Sequence, residues 1–168
     1  MNTIGKLTIT AVVGASILGS SAAASAHSAS AHSATRPITV KVAAKQYVAI
    51  ITPVNTALTT LVGVASAWTD STTGTAAAAS AAPAEAALKT AQLSLTKDRW
   101  PDKTKSHVKK VVKDTAKLNA YLSALSAVNT VDFSSWAAQF TRDSSKLSTA
   151  VDDVRNDLGL RQRLYTVP

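Results

Sequence analysis

Apolar residues recur three and four positions apart in four successive stretches of this chain, and that spacing confines it to a helical fold. Val40, Ala44, Tyr47, Ile51, Val54, Leu58, Leu61, Ala65 and Trp68 trace the first seam. An α-helix returns to the same azimuth about every 3.6 residues, so these side chains share one stripe that must be buried. Ala84, Leu88, Ala91 and Leu95 mark a second seam. Thr104, Val108, Val111, Thr115, Leu118, Leu122 and Leu125 mark a third, which runs to about Val128. Phe133, Ala137, Phe140, Ser144, Leu147, Val151, Val154 and Leu158 mark the fourth. Composition agrees. Only 5% of the chain is aromatic while Ala, Ser and Thr abound, and a β-sandwich would draw on more aromatic and β-branched residues. The expected fold is all-α, an antiparallel four-helix bundle running up-down-up-down with short connections. The rival is three helices plus a disordered Ala-rich segment.

The breaks between seams carry their own signals. Pro53 lies inside the first helix, where it removes a backbone donor and crowds a carbonyl, so a kink is expected there. Asp70 to Ala82 is of low complexity and reads as a loop followed by an Ala-rich first turn, with Pro83 suited to a helix start. Pro101 disfavours helical geometry at Trp100 and can open the next helix. Asp132 is placed to cap the fourth helix, and Gly159 to close it.

Ahead of the seams stands a secretion signature. Lys6 precedes a short uncharged run from Leu7 to Leu18, and Ala24-Ser25-Ala26 offers a small-x-small cleavage site. The run is too short to span a bilayer comfortably, and no later run is expected to hold the mature chain in a membrane. The expected organisation is a signal peptide over 1–26, a disordered Ser/Ala/His tail over 27–38, a helical domain over 39–160 and a basic tail over 161–168. The expected location is extracellular, with association to the cell wall.

The chain holds no Cys. That excludes a disulfide scaffold, thiol chemistry and Cys-bound metals. It has no G-x-S-x-G, no phosphate-cradling Gly loop and no His with a plausible partner pair, so no enzyme and no cofactor are expected.

Charge is the strongest surface signal. The formal net charge is +8, and much of the excess lies between Lys97 and Lys117. Lys105, Lys109, Lys113 and Lys117 are spaced by four and are read as one outer ridge of the third helix. Like charges at that spacing repel, and an anionic partner would relieve the cost. An anionic wall polymer or membrane surface fits an exported protein; a solvated face is the plain alternative. Sequence-specific nucleic-acid binding is not expected, since no recognition motif is present. Tyr47, Pro53 and Asn55 suggest a ligand pocket at the kink, or a helix simply curved around its core. His27 would sit at or near the mature N-terminus, where a free amine and an imidazole can chelate copper. Asp152, Asp153 and Asp157 crowd a helix C-terminus that disfavours them, so a basic partner such as Arg155, Arg161 or Arg163 is expected.

Four strings share a further likeness. They are Tyr47-x-x-Ile50-x-x-Pro53-x-Asn55, Trp100-Pro101, Trp136-x-x-Gln139-Phe140-x-x-Asp143 and Arg155-x-Asp157-Leu158-Gly159-Leu160. In that order they resemble a loose group of uncharacterised secreted proteins and lipoproteins of actinobacteria. The resemblance implies a helical envelope or extracellular protein and brings no activity to carry over. It departs from the lipoproteins in having no Cys to accept a lipid. It singles out Asp143 and Arg155, which lie about three turns apart and so each need a partner on another helix.

Overall fold

A computed structural model describes residues 38–160. The signal signature, His27, His32, Arg161 and Arg163 lie outside the described residues. The fold is all-α, with four helices: α1 (Val40–Ala65), α2 (Gly74–Lys97), α3 (Asp102–Ser123) and α4 (Phe133–Asp157), and a short 3-10 turn at Ala124–Ala127. Consecutive helices pack side by side, and no strand occurs among the described residues.

Three of the four helices, α1, α2 and α4, begin where a side chain takes up a free backbone N–H; α3 begins after Pro101 without one. The Thr39 hydroxyl accepts from the Val42 N–H, and Thr73 from Ala76. Asp132 accepts from the Ser135 N–H at 3.1 Å and from its hydroxyl at 2.8 Å. Those bonds, the backbone one first, hold the Asp132 carboxyl below the usual carboxylate range. At the far end of α4, Gly159 adopts φ 67°. The Leu160 N–H then reaches the Arg155 carbonyl at 2.9 Å and the Gly159 N–H reaches Asn156 at 3.1 Å, which satisfies carbonyls the helix end leaves open.

Two boundaries differ from the sequence expectation. α1 stops at Ala65, and a tight turn, not helix, delivers Trp68 to the core. The Ala-rich segment is helix from Gly74 onward, so Pro83 lies inside α2 and does not open it. Ala has the highest helix propensity, and Pro83 faces outward, where its missing donor costs least. Ala77 and Ala81 extend the second seam and are fully buried. A helix this lean lets its neighbours approach closely.

Gly74 is required by a contact between two connections. Its N–H donates to the Asn129 carbonyl at 3.1 Å, and the Val131 N–H donates to Thr72 at 2.9 Å, so the α1–α2 and α3–α4 loops meet. A Cβ at position 74 would fall on the Val128 and Leu125 carbonyl oxygens.

Aromatic rings fill the core at both ends. Trp136 stacks on Phe140 with ring centres 4.9 Å apart, and Trp68 meets Trp136 at a tilt with centres 4.7 Å apart. Tyr47 meets Trp100 edge-on at 6.1 Å, and its O–H donates to the Val151 carbonyl of α4 at 3.3 Å.

Candidate functional site

The four spaced lysines are all exposed, but their row winds around α3. Four residues overshoot a helical turn by roughly 40°, so three such steps swing the row about a third of the way round α3. Lys105 and Lys109 flank the corner where α2 gives way to α3. Lys113 points outward. Lys117, its side chain half exposed, reaches across to α4, with its ammonium 2.7 Å from the Asp143 carboxylate.

This turn of the row divides the cations between two tasks. On the α4 side they tie two helices together. Lys103 lies 3.7 Å from Asp157, His107 Nδ1 lies 2.6 Å from the same carboxylate, and Lys110 lies 3.5 Å from Asp153. The acidic end of α4 takes partners from α3. On the other side, Lys105 bonds Asp102 one turn away, and that bond with its charge draws the Asp102 carboxyl down. Lys97, Arg99, Lys109 and Lys113 form no ion pair among the described residues.

Arg99, Lys105 and Lys109 border a half-open cleft of about 590 Å³ at this corner. Its apolar lining includes Leu95, Trp100, Val108 and Val112. Trp100 is fixed there because its indole N–H donates to the Leu95 carbonyl at 2.8 Å. Asp98 and Asp102 also border the cleft, so the local excess of positive charge is small and extends outward along Lys109 and Lys113.

Asp143 is the most deeply buried charge, 3% exposed. Burial alone would raise its pKa. The hydrogen bonds from Lys117 and from Gln139, the latter at 2.6 Å, together with the charges of Lys117 and Lys146, outweigh burial and leave the carboxyl below its usual range. Nearby, the Tyr121 O–H donates to the Trp136 carbonyl at 3.2 Å. Burial first, then the negative charges of Asp143 and Asp132, push the Tyr121 phenol up. The Lys117, Gln139 and Asp143 side chains bond one another, and with the Tyr121 contact they fasten α3 to α4.

The remaining singled-out residues are dispersed. Tyr47 is buried, Pro53 is exposed on the outer side of α1, and Asn55 is half-buried on its flank. Pro53 borders a wide groove between α1 and Leu158–Leu160. Among the described residues no three His, Asp or Glu side chains converge to hold a metal ion. Sequence reasoning treated Lys117 and Asp143 as unrelated features. The available signal was a buried-face Asp on one seam opposite a lysine whose four-residue spacing had carried it to the edge of another.

No protein-family model, curated protein sequence or solved structure matches this chain.

Proposed function

We propose that the protein is a non-catalytic, secreted component of the cell envelope that holds a phosphate-bearing anionic surface through α3. The contact would be Lys109 and Lys113, flanked by Lys105 and Arg99. The observation that carries this reading is that Lys109 and Lys113 are exposed and form no ion pair among the described residues, on a helix whose other lysines have acidic partners. An up-down-up-down antiparallel bundle would present that side of α3 to a partner without disturbing the core. The pairs His107–Asp157 and Lys117–Asp143 support it for α3 and α4, since the later residue of α3 meets the earlier residue of α4. A kink at Pro53 belongs to the same proposal and rests on the missing donor alone.

The test is co-sedimentation with isolated cell walls and with anionic vesicles at low and high salt. Each surface lysine near an anionic layer contributes about 1 kcal/mol, so Lys109→Gln with Lys113→Gln should weaken low-salt binding roughly 30-fold. Undiminished binding by the double variant would refute the reading. The second reading, a small-ligand carrier, is favoured by the apolar groove of about 960 Å³ beside Pro53. Copper held by His27 belongs to that reading too, outside the described residues.

A further inference from the structure

The outer face of α1 is unlike any surface that α3 or α4 presents. α1 is 26 residues long, and its only charges are Lys41 and Lys45, both near its start. No acid occurs in it. From Val48 to Val64, roughly 24 Å of helix, the outer half of α1 carries Val48, Ala49, Thr52, Thr56, Thr60 and Val64 without a charge; the row winds as it rises, so these residues cover a broad band from one flank of the helix to the other. Val48 and Val64 are 41% and 43% exposed, and Val40 and Val42 each 48%. Four of the six large exposed hydrophobic side chains among the described residues thus belong to one helix. A helix facing water ordinarily shows charged and polar residues on that side.

The threonines make the band more apolar than its composition suggests. The Thr52 hydroxyl donates to the Val48 carbonyl at 2.8 Å, Thr56 to Thr52 at 3.2 Å, Thr59 to Asn55 at 2.8 Å and Thr60 to Thr56 at 3.1 Å. Each hydroxyl donor is satisfied one turn back on its own helix. What remains outermost includes the methyl group. Such back-bonding is how Ser and Thr are accommodated on helices in hydrocarbon. At the lysine end the band adjoins the groove formed with Leu158 and Leu160, whose lining includes no acidic residue.

We infer that the outer face of α1 docks on an anionic lipid bilayer, lying along its interface with Lys41 and Lys45 among the headgroups. An apolar band with cations at its margin and no acid matches that surface in both polarity and charge. A second copy of the chain is a poorer match. A two-fold contact centred on the groove would bring the two copies' Lys41 and Lys45 together. This inference goes beyond the α3 reading and uses a different helix.

The chain's lack of Cys allows a single reporter to be placed at will. A Thr60→Cys variant of the full chain would carry an environment-sensitive fluorophore, with Lys113→Cys as the α3 counterpart. Mixed phosphatidylglycerol–phosphatidylcholine vesicles should shift the Thr60 probe to the blue, and the shift should persist at high salt. The Lys113 probe should lose any response at high salt. Val48→Glu with Thr56→Glu, both at surface positions, should weaken the Thr60 response at least tenfold without changing the circular dichroism. Because the readout is local, the apolar run Leu7–Leu18 does not decide it. A Thr60 probe silent on vesicles would overturn the inference. So would a shift that needs no lipid and tracks a doubling of mass, since the face would then pair two copies. A Lys113 probe silent even at low salt, with an intact Thr60 response, would refute the α3 reading alone.

Discussion

Replacing Lys117 with Met tests whether the Lys117–Asp143 pair holds α3 to α4. Unit charges 2.7 Å apart attract by about 1.5 kcal/mol at the dielectric of water and about 6 kcal/mol at an effective dielectric of 20. Asp143 is 3% exposed and Lys117 53%, so the pair lies between these limits, near 3 kcal/mol. Ordering the lysine side chain offsets about 1 kcal/mol of that. Lys117→Met should therefore cost roughly 2 kcal/mol at pH 7, or a Tm lower by roughly 6–10 °C. The loss must depend on pH. Asp143 titrates below its usual range in the folded protein, so its contribution is complete above the unfolded carboxyl pKa of about 3.9 and disappears as pH falls through the lower folded value. The variant's deficit should accordingly shrink below about pH 4. Adding Asp143→Asn to Lys117→Met should recover part of the stability, because Asn leaves no buried charge and still accepts from Gln139. Urea unfolding of the four proteins of this cycle, from pH 3 to pH 8, measures both effects. A deficit under about 0.5 kcal/mol that ignores pH would refute the reasoning and class the contact with ordinary surface ion pairs.

Two further outcomes follow from particular atoms. Thr104 is 1% exposed and its hydroxyl has no hydrogen-bond partner, so Thr104→Val, which keeps the shape, should stabilise the protein by about 1 kcal/mol in the same assay; a loss of stability would mean that the hydroxyl is satisfied in solution. Gly74→Ala should destabilise by at least about 2 kcal/mol, because the new methyl meets two backbone carbonyls that the loop pairing holds in place, and thermal melting would reveal an unchanged Tm if those loops yield freely.

The helices were legible because burial imposes a period on the sequence. Every residue assigned to the third seam from Thr104 to Leu125 is buried, and Asp132 and Gly159 cap α4 at the positions their chemistry suits. The start of α2 was not legible. Pro83 is a strong local signal for a helix start, yet an outward-facing proline is tolerated inside a helix that alanines favour and that Thr73 and Gly74 start earlier. The outer face of α1 left a trace in the sequence, since no charge follows Lys45 before the helix ends. Its meaning depended on seeing the threonine hydroxyls folded onto the backbone.

What the sequence determined by itself was local and periodic: that the chain is helical, which stripe of each helix is buried, and that no thiol chemistry is available. Tertiary structure decided how the charges are used. A four-residue spacing looks like a straight ridge in one dimension, but on a helix with about 3.6 residues per turn it precesses. Only the position of α4 determines that Lys117 reaches a buried Asp143, while Lys109 and Lys113, on the same helix, form no ion pair among the described residues.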